Sequence, residues 1–205
     1  MSAIGHASVP TSHPGTPSST RVLVVDDHQA VRLGVHGVLD REPGIHVAAT
    51  AGTYAEALAA AEASTPDVAV VDFHMPGRDG LALTRRLKLM PHPPRVLIYS
   101  AFADDRLQIS GLVAGADGVI SKSFLASELA DRVKSLARSD EPQFSISREA
   151  VAAASQAVDL DDRPILGMLA NGATTDEMTA VLSMSEERLD ARRRAMLERL
   201  KHPVG

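Results

Sequence analysis

Short apolar runs alternate with longer segments of helical periodicity over residues 21–138. Each run has five or six residues and is rich in Val, Ile and Ala, and short runs bounded by polar residues are typical of strands. Runs that are apolar almost throughout are typical of strands buried on both faces of a sheet. The pattern predicts strands at RVLVV (21–25), HVAAT (46–50), VAVVD (68–72), RVLIYS (95–100) and GVISK (118–122).

The segments between and after these runs carry apolar residues at helical spacing. Five strands that alternate with five helices predict an α/β fold, with a doubly wound five-stranded parallel sheet of the flavodoxin-like type. The predicted helices are 30–42, 54–64, 80–90, 106–116 and 127–138.

The alternation stops after residue 138, where SDEPQFS breaks the pattern. A predicted helix at 147–158 lies in what we interpret as a linker, and the residues after it have helical character only. The sequence therefore predicts four parts, which are a disordered tail (1–20), the α/β domain (21–138), a linker with a helix (139–158) and a small all-α domain (159–205).

Capping signals mark the helices of the C-terminal part. Pro164 suits the first turn of a helix and Gly172 its end. Thr174 and Glu177 form a capping box for the next helix, and Ser185 suits the N-cap of the last one. These signals predict helices at 163–172, 174–182 and 185–201.

Composition narrows the class of protein. The chain has 205 residues, of which 44% are hydrophobic and 23% charged, as in ordinary globular proteins. It has no cysteine, which excludes disulfides and thiolate metal sites and fits the cytoplasm. No apolar run approaches the roughly 20 residues that cross a bilayer, and residues 1–20 lack the pattern of a signal peptide. We therefore expect a cytoplasmic protein that does not contact a membrane.

Polar side chains follow several of the predicted strands. The carboxyl ends of parallel strands meet at one edge of the sheet, so these groups are expected to lie together. Carboxylates in one place repel one another unless a cation neutralises them, and oxygen ligands of this kind suit Mg²⁺. The groups are Asp26, Asp27, Asp72, Ser100 and Lys122.

These groups are sufficient for phosphoryl transfer to Asp72. A carboxylate beside Mg²⁺ can form an acyl phosphate, while Lys122 neutralises phosphoryl oxygens and Ser100 donates a hydrogen bond to one.

The same residues have alternative interpretations. An Asp pair after a strand is also typical of a turn or a helix cap, which leaves a site without function as the alternative. His28 and His74 suggest a metal site, but we favour a position at the mouth of the first helix for His28 and a role in water access to the phosphoryl group for His74. No signature of a substrate pocket accompanies the acceptor, so we do not expect an enzyme.

The segments VLVVDDHQAVRLG, PDVAVVDFHMPGRDG, YSA and GADGVISK resemble the receiver domain of two-component response regulators of the NarL/FixJ class. The resemblance covers residues 21 to about 138. It implies that a sensor histidine kinase phosphorylates Asp72 and that Ser100 and Lys122 contact the phosphoryl group. It also implies that Mg²⁺ is bound by Asp27, Asp72 and the backbone carbonyl of His74, with Asp26 acting through water.

One position departs from the family pattern. The family usually has Tyr or Phe three residues before the strand-five lysine, where this chain has Val119. Valine is short and β-branched, so it cannot report a movement at the site by changing its rotamer as an aromatic does. We therefore expect an altered relay from the phosphorylation site. Tyr99 lies in the wrong register to replace the missing aromatic.

The C-terminal part resembles the LuxR-type helix-turn-helix of the same class, through ILGMLANG, TTDEMTAVL and the MS before the last helix. An ordinary three-helix bundle is the alternative interpretation. On a helical wheel the last helix has a stripe for burial, formed by Leu189, Met196, Leu197 and Leu200.

Beside that stripe lies a row of arginines, Arg188, Arg192 and Arg199, which we predict to contact DNA. Arg193 falls within the stripe, and we expect its charged head to reach outward to solvent. Asp190 lies on the opposite, solvated face, where Arg194 is at i,i+4 spacing to pair with it.

Three features weaken the prediction of DNA binding. Asp190 stands where the family typically has a phosphate-contacting lysine, and the final helix that pairs two output domains is missing. From residue 159 onward the chain has nine acidic side chains and seven basic ones, and the whole chain has a net charge of −5.

We nevertheless expect a transcription regulator that binds double-stranded DNA, as a homodimer or as a heterodimer with another regulator. The alternative is a regulator whose degenerate output domain binds a protein partner.

Overall fold

The computed structural model describes residues 19–139 and 141–201, so the predicted disordered tail lies outside the described residues except for its last two positions. Five strands form one parallel sheet in the order β2-β1-β3-β4-β5. The predicted α/β fold is therefore confirmed. The strands are β1 (Thr20–Val25), β2 (Ile45–Ala51), β3 (Val68–Asp72), β4 (Arg95–Ser100) and β5 (Gly118–Ser121).

Helices cover both faces of this sheet. They are α1 (Gln29–Leu39), α2 (Tyr54–Ser64), α3 (Gly80–Lys88), α4 (Asp105–Ala114) and α5 (Ala126–Arg138). Helices α1 and α5 pack on one face, and α2, α3 and α4 pack on the other. All five side chains of β3 are buried, which explains why the strand is apolar up to its final aspartate.

Several helices end two or three residues before their predicted ends. Helix α4 stops at Ala114 because Gly115 adopts a left-handed conformation, with φ of +89°. Helix α1 stops at Leu39, and the next residue, Asp40, closes the last turn. Hydrophobic periodicity continues through such residues, so the sequence pattern extended these helices too far.

Gly80, the first residue of α3, lies directly against the end of β3. A Cβ atom there would collide with the carbonyl oxygen of Asp72 and lie 3.0 Å from the Cα atom of Phe73. The Gly80 amide also donates a hydrogen bond of 2.9 Å to the Phe73 carbonyl. The absence of a side chain thus lets α3 start immediately beside the strand end that carries Asp72.

We expect Gly80→Ala to destabilise the protein by about 1–3 kcal/mol, because the backbone of Asp72 and Phe73 must shift to make room. Urea unfolding followed by circular dichroism measures the change. Gly34→Ala is the matched control, since a Cβ at this helical position meets nothing within 4 Å. The control should be stabilised by about 0.5–1 kcal/mol. An unchanged stability of Gly80→Ala would contradict the close packing.

The C-terminal part is helical, as predicted. It contains α6 (Arg148–Ala157), a single 3-10 turn (Leu160–Asp162), α7 (Arg163–Ala170), α8 (Thr175–Leu182) and α9 (Glu186–Lys201). The capping box is present, because Thr174 and Glu177 each accept a hydrogen bond from the other's backbone amide. The hydroxyl of Ser185 accepts from the amide of Arg188 and caps α9. No helix in the described ranges is long and apolar enough to cross a membrane.

Helix α4 is enclosed on both sides. It packs on the sheet, and α6, α7 and α9 pack on its outer face. One hydrophobic cluster runs from α4 through the C-terminal helices, with Leu112, Ile165, Met178, Leu189 and Met196 among its buried members. The C-terminal helices are therefore docked on the α/β unit.

The segment between α5 and α6 runs along the open edge of the sheet. Gln143 forms a parallel bridge with Gly118, and its amide donates to the Asp117 carbonyl at 2.6 Å. Its side-chain amide donates to the hydroxyl of Ser135 on α5. This edge of β5 is thus covered by the chain itself. The boundaries of the predicted domains stay a prediction.

Candidate functional site

The carboxyl ends of β1, β3 and β5 bring charged side chains into contact. Asp26 and Asp72 are 2% and 3% exposed. The Nζ atom of Lys122 lies 2.7 Å from Oδ2 of Asp26 and 3.0 Å from Oδ1 of Asp72. Three of the predicted site residues are therefore joined by direct ion pairs.

Burial sets the protonation behaviour of this group. Burial raises the pKa of Asp72, and the hydrogen bond from Lys122 only partly opposes this effect. Burial alone would lower the pKa of Lys122, but its hydrogen bonds to Asp26 and Asp72 raise it overall. The lysine therefore stays charged, and the ionised form of Asp72 needs further positive charge near it.

A divalent cation fits this need. One atom from each of Asp26, Asp27, His28 and Asp72 lies within 4.8 Å of the others, which is close enough to hold a metal ion. The Oδ1 atom of Asp27 is buried and accepts no hydrogen bond from the described residues. Three carboxylates face a single ammonium, so a double positive charge neutralises the excess. The donor set is suited to an ion such as Mg²⁺.

His28 was not predicted to belong to this group. It is the N-cap residue of α1, as expected for the mouth of the first helix, but its side chain makes no capping hydrogen bond. Its Nδ1 atom instead lies 2.8 Å from Oδ1 of Asp27. Its place directly after Asp27 in the sequence was the available signal.

Two other predicted residues lie at the same edge with different contacts. The His74 backbone amide donates to Oδ1 of Asp72 at 3.3 Å. The Ser100 hydroxyl is fully buried at the end of β4 and accepts from the Phe102 amide at 3.3 Å. The carbonyl of His74 as a metal ligand and Ser100 as a phosphoryl contact stay predictions. An open cleft of about 350 Å³, lined by Asp27, His28, Phe73, His74, Met75, Pro76 and Asp79, leads to this edge.

Val119 of β5 is buried against α4. Its Cγ2 atom would be 2.8 Å from a Cβ atom on Gly111, so the glycine gives it room. Phe144, from the segment after α5, approaches the same glycine. Tyr99 packs in the cluster on the opposite face, with its ring 5.7 Å from Nζ of Lys122, as its register predicted. An aromatic ring from the linker thus lies beside the position where the strand lacks one.

Two of the three arginines predicted to contact DNA are held in ion pairs. Arg192 lies 2.6 Å from Asp162, whose side chain is 4% exposed, and Arg199 lies 2.6 Å from Asp159. Arg188 is exposed, and the structure records no ion pair to it within residues 19–139 and 141–201. The pairs tie α9 to the turn that precedes α7.

Two sequence expectations on α9 are wrong. Arg193 is only partly exposed and its head does not point freely into solvent, because its guanidinium donates to the carbonyls of Val113 at 2.8 Å and Leu112 at 3.4 Å, at the end of α4. Asp190 does not lie on a solvated face, because it pairs with Arg85 of α3 at 2.6 Å as well as with Arg194 at 3.4 Å. Both side chains have partners in the α/β unit, which a helical wheel cannot show.

Further contacts hold the end of α9 on the same unit. Lys201 pairs with Asp79 at 2.7 Å, beside the candidate cation site. Arg106 of α4 donates to the carbonyls of Leu200 and Lys201 at the end of α9. Helix α9 is thus fixed to the α/β unit at Asp190, at Arg193 near its centre and at its C-terminal end.

Comparison with known proteins gives consistent matches. Residues 22–134 match the family described as response regulator receiver domain. The chain is 31% identical to the DNA-binding transcriptional activator DevR/DosR of Mycobacterium tuberculosis, over 82% of each protein. It is 31% identical to the transcriptional regulatory protein LiaR of Bacillus subtilis, over 58% of this chain and 57% of LiaR.

A solved structure agrees with these matches. The signal receiver domain of the putative response regulator NarL from Mycobacterium tuberculosis is 34% identical, with a TM-score of 0.57. The match covers 60% of this chain and 98% of that domain.

Proposed function

The chain belongs to the response regulator receiver family, in its NarL class, and from this premise we propose that it is a transcription regulator switched by phosphorylation of Asp72. The contact between Lys122 and Asp72, at 3.0 Å on the carboxyl edge of the sheet, carries the proposal. A buried carboxylate beside a fixed ammonium and two further carboxylates is suited to accept a phosphoryl group. The proposed receiver spans 21–138, the linker 139–158 and the output domain 159–205.

A sensor histidine kinase is the proposed phosphoryl donor. The phosphorus–nitrogen bond of its phosphohistidine breaks as a phosphorus–oxygen bond to Asp72 forms, and the leaving imidazole takes up a proton. Asp27, Asp72 and the carbonyl of His74 would hold Mg²⁺, with Asp26 acting through water, and the ion would supply positive charge to the phosphoryl oxygens. Lys122 neutralises a further oxygen, and the Ser100 hydroxyl donates to another.

The proposed output is binding of double-stranded DNA through α8 and α9, by a homodimer or by a heterodimer with another regulator. Arg188 is the arginine of the predicted row that is free to approach a phosphate or a base. The docking of α9 on α4 restricts this approach, because Asp190 and Arg193 face the receiver. We infer that phosphorylation favours release of the output domain.

A second candidate output is binding of a protein partner. The ion pairs of Arg192 and Arg199 with Asp162 and Asp159 favour it, because these pairs neutralise two of the three arginines predicted to contact DNA. A protein-binding output would need neither of them free.

Fluorescence anisotropy on duplex DNA selected from a random pool tests which of these two candidate outputs is correct. With Mg²⁺ and beryllofluoride as phosphoryl mimic, we expect binding that Arg188→Ala weakens about tenfold, as loss of one charged contact typically costs 1–3 kcal/mol. Arg194→Ala is the control, since this exposed arginine lies off the predicted row. Absence of binding at low salt in every state would exclude DNA as the partner and favour the protein-binding candidate.

A further inference from the structure

His28 stands at the candidate cation site with no role in the proposed chemistry. Its Nδ1 atom lies 2.8 Å from Oδ1 of Asp27 and 3.6 Å from Oδ1 of Asp26. Two ligand atoms bound at about 2.1 Å and at right angles to each other lie about 3.0 Å apart. The distance between the imidazole nitrogen and the Asp27 oxygen is therefore that of two neighbouring ligands of one small ion.

The contact is an ion pair when the imidazole is protonated, but no hydrogen bond accompanies it in the described residues. Oδ1 of Asp27 is buried and accepts none from the described part of the chain. When Nδ1 carries no proton, it and the carboxylate oxygen are both electron-pair donors, and a cation placed between them would satisfy both. The backbone amide of His28 donates to Oδ1 of Asp26 at 2.8 Å, which fixes the residue beside the carboxylates.

The cluster of three aspartate carboxylates has different neighbours on its two sides. Lys122 binds Oδ2 of Asp26 and Oδ1 of Asp72 from the side of β5. The His28 side chain is 69% exposed and stands on the side open to solvent. A cation that enters from solvent therefore contacts the imidazole and the carboxylates beside it at the same time.

We propose that His28 is a nitrogen ligand of the divalent cation at this site and gives the site a preference for transition ions such as Mn²⁺ and Co²⁺ over Mg²⁺. The inference rests on the proposed function, because it concerns the same cation. Mg²⁺ takes oxygen ligands almost exclusively, whereas imidazole is a good ligand for first-row transition ions. An added imidazole thus raises the affinity for transition ions and leaves that for Mg²⁺ nearly unchanged.

Calorimetric titration of the full chain with Mn²⁺, Co²⁺ and Mg²⁺ tests the preference. We expect His28→Ala to weaken Mn²⁺ and Co²⁺ binding about tenfold and Mg²⁺ binding less than about twofold. The substitution should leave α1 intact, since the side chain makes no capping hydrogen bond. His36→Ala, on the same helix, is the matched control and should change none of the three affinities. Equal effects of His28→Ala on all three ions would overturn the proposal.

Pulsed electron paramagnetic resonance of bound Mn²⁺ gives a readout independent of affinity and activity. Imidazole coordination predicts a ¹⁴N coupling in the wild type and in His36→Ala that is lost in His28→Ala. A wild type that binds Mn²⁺ without this coupling would mean that His28 only forms an ion pair with Asp27.

The two proposals fail in different ways. If Mg²⁺ supports phosphorylation of Asp72 but no ¹⁴N coupling is found, the role of His28 is wrong and the proposed function stands. If the coupling is present but Asp72 accepts no phosphoryl group, the proposed function fails and the metal ligand stands. Failure to bind any divalent ion overturns the role of His28 and the metal-dependent mechanism together.

Discussion

Asp72→Asn is expected to abolish phosphorylation of this protein by small phosphoryl donors in the presence of Mg²⁺. The amide keeps the shape of the carboxylate but removes the oxygen nucleophile that forms the acyl phosphate. It also removes a charge from the carboxylate group that faces Lys122. Incubation with acetyl phosphate, followed by intact-protein mass spectrometry, should show the added phosphoryl mass in the wild type alone.

The same substitution should leave the fold intact. Burial raises the pKa of Asp72 above its ordinary value of 3.8. A carboxyl with a raised pKa in the folded state stabilises the fold below its unfolded pKa, and this contribution is lost as the pH rises through the folded pKa. The amide of the variant cannot ionise, so it does not undergo this loss as the pH rises, and the variant should be at least as stable as the wild type.

Substitution of a carboxylate outside the site distinguishes the role of Asp72 from a general effect of losing one negative charge. Asp131 is exposed on α5, away from the carboxyl edge of the sheet. Asp131→Asn should be phosphorylated like the wild type. Phosphoryl mass on the Asp72→Asn variant at the wild-type level would place the acceptor elsewhere in the chain.

Arg193→Ala is expected to release α9 from α4. The guanidinium is partly buried in the interface and donates to the carbonyl of Val113 at 2.8 Å, over the turn where Gly115 ends α4. Burial lowers the pKa of Arg193, but arginine remains charged, so the side chain brings a costly charge into the interface. Its truncation leaves the Val113 carbonyl without the donor that Arg193 supplies, whereas the Leu112 carbonyl still accepts from the Gly115 amide at 3.1 Å.

The expected effect is large because a hydrogen bond to a charged group contributes about 1.5–3 kcal/mol. A loss of this size raises the population of the released state about 10- to 150-fold. Hydrogen exchange of the α4 amides, residues 105–114, should accelerate by that factor while exchange in β3 is unchanged. The radius of gyration in small-angle scattering should increase as well if the released state becomes dominant.

Arg194→Ala is the control for this experiment. The side chain of Arg194 is 57% exposed and pairs with Asp190 at 3.4 Å on the same helix. Exposed pairs of this kind contribute at most about 0.5 kcal/mol, so exchange in α4 should stay near the wild-type rate. Equal exchange rates in Arg193→Ala and the wild type would show that the apolar contacts alone hold the two parts together.

Most of the site was predictable from the sequence. Asp26, Asp72 and Lys122 follow strands that their apolar composition identifies, and the rule that parallel strands share a carboxyl edge then places the three side chains together. The sequence suggests His28 as a metal ligand only together with His74 and does not favour it, because it shows which residues lie near the edge but not where each side chain points. Its distance of 2.8 Å to Asp27 depends on how the chain turns into α1.

Local patterns therefore determined the elements, the sheet and the position of Asp72. Strand burial, helix periodicity and caps act between residues that are close in sequence, or between strands whose order follows a general rule. The capping box of Thr174 and Glu177 is an example, since both partners lie within one helical turn.

Only the tertiary structure decided what α9 does with its charges. Asp190 and Arg193 have partners 105 and 80 residues away, and Arg192 has one 30 residues away. A helical wheel assigns such residues to solvent or to DNA because it contains no information about what packs on the helix. Interactions of this kind arise after two folded parts dock, so their physical basis is the shape and charge of the assembled surfaces and not the periodicity of either one.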